Sequence, residues 1–263
     1  GLTEIDVVEP ARVLVVTTGT ELVSARQQEP VTDATNVAGA ASDDDATHDG
    51  STAVPLSDAA APARIRDANA ISLTMALVEV GATAMHCSIT DTPGALLDVV
   101  SAAASTADLV ITTGGISMGA FEVVKQALAA PTGGQAWFGK VALQPGGPQG
   151  LGTVAGLPFV ALPGNPVSAL VSFELFVRPV LARAHGGPPQ RRRHMAPLAG
   201  PLDSRRGIRQ LRWGSIDIDG RVHVDRAGSH LLVHFARASV LVIVPENVVH
   251  LAAGDQVECW EIP

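Results

Sequence analysis

The first two-thirds of the chain alternates between short apolar runs and longer segments with apolar residues at helical spacing. The apolar runs of strand length are residues 11–17, 82–89, 108–112 and 159–162. The helical segments are residues 67–80, 95–107, 122–130 and 167–184. Apolar strands that alternate with helices are typical of a parallel sheet that is covered on both faces. We therefore predict an α/β domain over residues 11–185.

The pattern changes after residues 186–190, which read Gly-Gly-Pro-Pro-Gln and form the predicted linker. The strands predicted beyond it are residues 208–218, 221–224, 240–244 and 256–262. The first two flank Asp219-Gly220, a turn sequence that favours a β-hairpin. The sequence therefore predicts a second, β-rich domain over residues 190–263.

One acidic segment interrupts the α/β pattern. Residues 24–63 carry seven acidic side chains and one basic side chain, without helical or strand periodicity. Charge runs of this kind are usually solvated, so we expect a disordered insertion in a surface loop. An acidic docking or metal-binding loop around residues 43–45 is the alternative.

The composition of the 263-residue chain excludes several classes of protein. The net charge is −8, Tyr is absent and aromatic residues make up 3 %, which argues against a nucleic-acid partner. Residues 141–173 are uncharged but contain five prolines, so they cannot form one membrane helix. Cys87 and Cys259 form neither a metal pattern nor a disulfide framework, which favours a reducing cytoplasm.

Candidate chemistry lies at the predicted strand ends, because ligands of open parallel sheets bind beyond the carboxyl ends of the strands. Residues 17–22 (TTGTEL) place Thr18 and Glu21 at the first such end. Glu21 could hold a metal or orient a substrate, and an exposed loop glutamate is the alternative. Asp67 opens a predicted helix, where it is either a helix cap or a site carboxylate.

The second strand end, residues 112–119 (TTGGISMG), precedes a helix that carries Glu122 and Lys125. Its glycines let the backbone approach an anion, and the helix start supplies free N–H groups. Phosphate or a similar oxyanion is therefore the expected ligand of this turn.

The third strand end, residues 162–168 (LPGNPVS), has Asn165 as a good N-cap and Pro166 as a good first helical residue. Capping alone explains these two residues, whereas Gly164 and Ser168 would leave the helix start open to another anion. Residues 140–150 (KVALQPGGPQG) read as an apolar strand followed by a turn. The eight histidines show no ligand spacing and are interpreted as structural or surface residues.

Taken together, these motifs resemble the molybdopterin molybdenumtransferase family, which includes bacterial MoeA and the E domains of plant and animal molybdenum-cofactor proteins. The matching strings, in family order, are TTGTEL, RDAN, DTPGAL, TTGGISMGAFEVVK, KVALQPGGPQG, LPGNPVSALVSFELFVRP and GSHLL…ARASVLVIVPE. They cover nearly the whole chain except the acidic insertion. The resemblance implies a MogA-like molybdopterin-binding α/β domain followed by a small β-barrel domain.

The resemblance also implies the last step of molybdenum cofactor synthesis. Adenylylated molybdopterin binds, molybdate is inserted at its dithiolene, and AMP is released. Molybdate is a dianion that needs N–H donors and cations, and the pyrophosphate link needs a divalent cation, normally Mg²⁺, held by carboxylates. A molybdopterin adenylyltransferase, against which the β-rich domain argues, and a non-catalytic pterin-binding or scaffold module are the alternatives.

Site residues follow from the resemblance, position by position. The expected catalytic carboxylates are Glu122, Glu21 and Asp67, and the first two are expected to hold the metal. The residues expected to bind the pterin, its phosphate or molybdate are Thr18, Gly114, Gly115, Ser117, Gly119, Pro145, Gly146, Gly164, Asn165, Ser168, Arg209 and Ser229.

This chain departs from the family pattern at three positions. Gly147 and Gln144 stand where members can have Lys, and Glu122 stands where many have Asp. Loss of a cation weakens an oxyanion site by roughly 1–3 kcal/mol unless another donor substitutes. Residues 1–10 are expected to end a longer N-terminal region, which in the family adds two domains and much of the dimer interface. The resemblance therefore implies a homodimer for the full-length protein.

Overall fold

The computed structural model describes residues 4–19, 22–23, 65–90, 92–114, 124, 134–225 and 235–262. The predicted insertion over residues 24–63 lies outside these ranges, as does the predicted helix over 122–130 apart from Val124. The candidate site residues outside the described ranges are Glu21, Gly115, Ser117, Gly119, Glu122 and Ser229.

The α/β domain is built on a six-stranded sheet. The first nine strands are β1 (Arg12–Thr18), β2 (Leu22–Val23), β3 (Ile65–Arg66), β4 (Thr83–Ile89), β5 (Leu109–Thr113), β6 (Gly134–Lys140), β7 (Leu143–Gln144), β8 (Pro148–Val154) and β9 (Leu157–Leu162). The order across the sheet is β4-β1-β5-β9-β8-β6. Strands β4, β1, β5 and β9 are parallel, which confirms the predicted α/β class, whereas β8 pairs antiparallel with both of its neighbours, β9 and β6.

The β6–β8 hairpin was not predicted, because glycine is unfavourable within a strand unless a close approach requires it. Gly150 of β8 lies opposite Phe138 of β6. A Cβ atom at Gly150 would collide with the Phe138 ring. That ring packs edge-on against Phe159, with 6.4 Å between the ring centroids. Gly150 therefore makes room for aromatic packing.

Four helices cover the sheet within the described residues. They are α1 (Ala68–Glu79), α2 (Pro93–Ala103), α3 (Pro166–Ser172) and α4 (Arg178–Ala184). The predicted single helix over 167–184 is interrupted by a π-helical segment, Phe173–Val177, in which the Arg178 N–H bonds to the Phe173 carbonyl. Pro179 in the first turn of α4 explains the interruption, since proline has no N–H for a helical hydrogen bond.

Alternating side chains of β1 pack into two apolar clusters, one on each face of the sheet. Val13 and Val15 pack with Leu73 and Leu77 of α1. This cluster extends into the second domain through Leu211, Trp213 and Leu241. Leu14 and Val16 pack with Leu96 and Val100 of α2 on the opposite face. The first cluster therefore ties the two domains together.

The second domain consists of strands and forms a small barrel. Its strands are β10 (Arg193–Pro197), β11 (Leu202–Asp203), β12 (Arg209–Ile216), β13 (Val222–Val224), β14 (Val240–Val244), β15 (His250–Leu251) and β16 (Gln256–Glu261). The order is β10-β16-β14-β12-β13, and a bridge between Leu198, just after β10, and Val222 closes the sheet. The predicted hairpin and the last two predicted strands are present, whereas β10, β11 and β15 were not predicted.

Within the described ranges, no helix has the length and apolar content that a membrane span requires.

Candidate functional site

Three of the predicted turns meet at one edge of the sheet, because they follow the neighbouring parallel strands β1, β5 and β9. A Cβ atom at Gly114 would lie 2.8 Å from both the carbonyl oxygen and Oγ1 of Thr18. One at Gly164 would lie 3.0 Å from Gly114 Cα. Gly114 also has a φ of +83°, which disfavours other residues. Close approach of the three turns therefore requires these glycines.

Several buried polar atoms at this edge are left without hydrogen-bond partners in the part of the chain that the structure describes. They are Thr18 Oγ1, Asn69 Oδ1, Thr112 Oγ1 and Thr113 Oγ1. Each of these residues is at most 8 % exposed. An unpaired buried polar group costs about 1–3 kcal/mol, so most such groups in folded proteins are paired. Their concentration beside the glycine turns is typical of a functional site.

The starts of α1 and α3 are joined by side-chain hydrogen bonds. Asn69 Nδ2 donates to the Gly164 carbonyl oxygen over 2.7 Å. Asn165 caps α3 as predicted, because its Oδ1 accepts from the Ser168 N–H at 3.2 Å. The Ser168 hydroxyl oxygen also lies 3.3 Å from Asn165 Oδ1. The turn after β9 is thus fixed from both helices.

Asp67 is buried under the first turn of α1, where it acts as the N-cap. Its Oδ1 accepts from the Ala70 N–H over 2.9 Å, and its Oδ2 lies 2.6 Å from Thr17 Oγ1. The Thr17 hydroxyl also lies 3.0 Å from both His86 Nε2 and Ser88 Oγ. A hydroxyl has one proton and a carboxylate only accepts, so Thr17 donates to Asp67. His86 Nε2 and Ser88 Oγ each lie 3.5 Å from Asp67 Oδ2 as well, so each can donate either to the Thr17 oxygen or to Asp67.

This network holds Asp67 as a carboxylate. Burial by itself raises the pKa of Asp67, but hydrogen bonds from His86, Thr17 and the Ala70 N–H outweigh burial and leave the pKa below its ordinary 3.8. His86 was predicted to be a structural or surface residue. The sequence signal for its role is a pair of polar residues, His86 and Ser88, on one face near the end of β4.

The turn between β7 and β8 is docked on α3. Gln149 Nε2 donates to the Gly146 carbonyl at 2.7 Å and to Ser172 Oγ at 2.6 Å, and Ser172 Oγ donates to the Ser168 carbonyl at 2.8 Å. A Cβ atom at Gly146, where φ is +97°, would lie 2.7 Å from Ser172 Oγ. The peptide bond before Pro145 is cis. The structure thereby brings Pro145 and Gly146 beside Ser168.

Arg209 lies where the two domains join, but its side chain is engaged elsewhere. Its N–H donates to the Ala142 carbonyl over 2.9 Å, and β12 pairs with β7 just before Pro145. The exposed guanidinium of Arg209 forms an ion pair with Glu246 at 3.1 Å. The backbone of Arg209 is therefore near the docked turn, while its charge is directed to Glu246.

No group of three or more His, Cys, Asp or Glu side chains among the described residues could hold a metal ion. The two carboxylates expected to hold Mg²⁺, Glu21 and Glu122, lie outside those residues. Asp67 is described, and both of its oxygens are occupied by donors of this chain. Asp67 caps α1 and anchors its first turn to β1 in this geometry.

Comparison with known proteins agrees with this geometry. Residues 14–183 match the family model described as "Probable molybdopterin binding domain". The chain belongs to this molybdopterin-binding domain family. Residues 195–262 match the model of the MoeA C-terminal region, domain IV. The α/β domain and the barrel therefore each have a counterpart in proteins of molybdenum cofactor biosynthesis.

Similar proteins include molybdopterin-binding domain proteins that are longer than this chain. Molybdopterin molybdenumtransferase 2 of Mycobacterium tuberculosis is 40 % identical over 273 residues, which cover 100 % of this chain and 59 % of that protein. Molybdopterin molybdenumtransferase of Haemophilus influenzae is 34 % identical over 66 % of this chain and 46 % of its own length. The crystal structure of the molybdopterin biosynthesis MoeA protein of Pyrococcus horikoshii has a TM-score of 0.69 at 25 % identity, over 96 % of this chain and 54 % of that one.

Proposed function

We propose that this chain is the pterin-binding and C-terminal part of a molybdopterin molybdenumtransferase. The reaction inserts molybdate into adenylylated molybdopterin and releases AMP. The observation that carries the proposal is the edge where three glycine turns and several unpartnered buried polar atoms meet. Family membership and the names of the relatives support the same reaction.

Binding of the adenylylated pterin is assigned to the edge formed by β1, β5 and β9. The absence of side chains at Gly114 and Gly164 would let a phosphate approach the backbone. The hydroxyls of Thr18 and Thr113 are the donors that would pair with the ligand. Stabilising negative charge on the leaving phosphate is the main task of such a site.

Binding of molybdate is assigned to the Pro145–Gly146 turn and the start of α3. No lysine stands in this turn, since positions 144 and 147 are Gln and Gly. A hydrogen-bonded chain leads from the turn to a cation instead. Gln144 Oε1 accepts from Gln210 Nε2 at 2.7 Å, and Gln210 Oε1 accepts from Arg212 at 2.7 Å. Arg212 is therefore the cation that we assign to the molybdate side.

Mg²⁺ is proposed as the divalent cation, with Glu21 and Glu122 as its ligands. The described residues by themselves do not form such a site, so this assignment rests on the resemblance of the sequence motifs. When bound, Mg²⁺ would neutralise the pyrophosphate oxygens. Glu122→Gln should lower Mg²⁺-dependent AMP release at least tenfold in the full-length protein. Unchanged turnover would remove Glu122 from the site.

The direct test combines the chain with adenylylated molybdopterin, Mg²⁺ and molybdate, and measures AMP. Molybdate-dependent AMP release supports the transferase. Pterin binding without release favours the non-catalytic module, and ATP-dependent adenylylation of molybdopterin would favour the adenylyltransferase. The MoeA-like C-terminal region argues against the latter.

A matched pair of variants ties the activity to the sheet edge. Gly114→Ala introduces a side chain at φ +83° that also contacts Thr18, so pterin binding should fall at least tenfold. Gly156→Ala introduces the same side chain at φ +81° where no other atom lies within 4 Å. Pterin binding by Gly156→Ala should equal that of the wild type. Equal loss in both variants would contradict the assignment of the edge.

We also propose that the full-length protein is a cytoplasmic homodimer. The resemblance to the family supports the dimer, and the absence of a disulfide framework supports a reducing compartment. Light scattering of the full-length protein tests the first point, because a monomeric mass would contradict it.

A further inference from the structure

A cavity of about 490 Å³ lies between the π-helical segment, α4, the linker and β10. Helix α1 runs from the candidate site at Asp67 to Glu79, and a twelve-residue helix spans roughly 18 Å. Because Glu79 contacts arginines of the cavity wall, the cavity lies at the opposite end of α1 from the candidate site. Its volume is within the range of about 300–1,000 Å³ that is typical of pockets for small organic ligands.

Four arginines line the cavity, and two of them are neutralised within the protein. Arg191 forms ion pairs of 2.8 Å with both Glu79 and Glu174. Arg178 Nε lies 3.8 Å from Glu79 and 3.9 Å from Glu174. These two arginines and two glutamates form a balanced quartet, of which Arg178, Arg191 and Glu174 line the cavity.

The other two arginines, Arg183 and Arg193, leave the cavity with surplus positive charge. Arg183 is exposed near the end of α4 and has no ion pair among the described residues. Arg193 is 3.4 Å from Glu258, and both side chains are more than a third exposed, so their attraction is weak. The Arg193 guanidinium also stacks 4.6 Å above the Trp260 ring. This local surplus occurs in a chain whose net charge is −8.

The remaining wall of the cavity is apolar. It includes Leu175, Pro179, Val180, Pro189 and Trp260. Val180 is 65 % exposed and is therefore accessible to a ligand in the cavity. A ligand that fits both parts of the wall needs a compact negative charge and an apolar body.

We propose that this cavity binds an organic phosphate, separate from the pterin. The phosphate group is held by Arg183 and Arg193, and the organic body packs on Val180 and Trp260. Phosphate suits two guanidinium groups because it carries up to two negative charges and accepts bidentate hydrogen bonds.

Calorimetric titration of the 263-residue chain with phenyl phosphate, inorganic phosphate and phenol tests the proposal. Phenyl phosphate should bind at least tenfold more tightly than either fragment, because only phenyl phosphate uses both parts of the wall. The double variant Arg183→Gln/Arg193→Gln should lose at least tenfold in affinity for phenyl phosphate. Gly114→Ala should leave that affinity unchanged, since it alters the candidate site only.

The matched control is Arg205→Gln/Arg206→Gln, which removes the same charge from exposed arginines outside the cavity. Retained affinity in this control supports the proposal. An equal loss of affinity in the two double variants would show that only net charge matters, and it would overturn the proposal. Absence of phenyl phosphate binding at millimolar concentration, or inorganic phosphate binding as tightly as phenyl phosphate, would also overturn it.

Discussion

The two ends of helix α1 use polar residues in opposite ways. At the Asp67 end, near the carboxyl edge of the sheet, Thr18, Thr113 and Asn69 each keep a buried polar atom unpaired. At the Glu79 end, near the amino edge, charged groups are matched, and Arg191 makes four hydrogen bonds to two glutamates.

Backbone groups at the amino edge are hydrogen-bonded as well. His185 links two elements there, because its Nε2 accepts the Ala11 N–H at 2.9 Å while its Nδ1 lies 3.1 Å from the Val80 carbonyl. Both contacts require a neutral ring that carries its proton on Nδ1. At the amino edge most of these polar atoms are paired within the protein, with Arg178 Nε as a buried exception, whereas the carboxyl edge keeps several buried polar atoms available to a ligand.

The largest expected loss of stability comes from disrupting the ion-pair network at the amino edge. Arg191→Met keeps the length of the side chain but leaves Glu79 and Glu174 with Arg178 alone. Removing one partner from a buried ion-pair network costs about 3–5 kcal/mol, so the free energy of unfolding should fall by about 3 kcal/mol. Urea unfolding measures this loss. Arg205→Met at an exposed position is the control, and an equal loss there would contradict the role of the network.

The second-largest effect is expected at the carboxyl edge, in the turn that contains Gly146. Gly146→Ala places a Cβ atom 2.7 Å from Ser172 Oγ at a φ of +97°. Backbone strain and the contact together should cost about 1–3 kcal/mol in stability and displace the docked turn. AMP release should then fall at least tenfold. Gly220→Ala, with a φ of +76° and open space around it, should change AMP release by less than twofold.

Substitutions of Thr17 test the hydrogen bond that anchors Asp67. Thr17→Val keeps the shape of the side chain but removes the donor to Asp67 Oδ2, which should cost about 1–3 kcal/mol. Thr17→Ser keeps the hydroxyl and should recover most of that loss and most of the pterin affinity. If Thr17→Ser loses as much stability as Thr17→Val, packing of the methyl group determines the effect, and the role of the hydroxyl is contradicted.

The smallest effect concerns an exposed pair at the amino edge. Hydrogen bonds from the Arg12 side chain and its N–H lower the pKa of Asp108 to about 2. A lowered pKa in the folded state stabilises the protein above the ordinary pKa of 3.8. This contribution is lost as the pH falls through about 2.

Asp108→Asn should therefore lower the melting temperature slightly at pH 6 and have less effect at pH 2. Because Asp108 is about half exposed, solvent screens most of the interaction, and the difference at pH 6 should be smaller than the loss of stability expected for Arg191→Met, Gly146→Ala or Thr17→Val. Asp219→Asn in the exposed hairpin turn is the control. A difference that grows toward pH 2 would contradict the assigned sign.

Local signals in the sequence were enough to predict much of the sheet edge. Apolar runs located β1, β5, β9 and β14 to within two residues, and turn composition located the caps at Asp67 and Asn165. Glycine content hid β8, because the need for Gly150 arises from side chains on neighbouring strands, the Phe138 ring and Ala161. The π-helical segment was missed because helical spacing alone does not reveal the effect of Pro179.

Contacts between distant residues account for what the sequence could not show. His86 is 69 residues from Thr17, and only the pairing of β4 with β1 brings the two together. Barrel closure likewise depends on a single bridge between Leu198 and Val222. The engagement of Arg209 with Glu246 could not be read from either residue's neighbours in sequence.

Hydrogen–deuterium exchange with and without adenylylated molybdopterin tests most directly whether the carboxyl edge is the ligand-binding edge. The account predicts slower exchange at residues 17–19, 112–114 and 162–168 when the pterin is bound. It predicts no change at Glu79, Arg191 or His185 at the amino edge. Protection confined to the amino edge, or binding without protection at the three turns, would contradict the central claim.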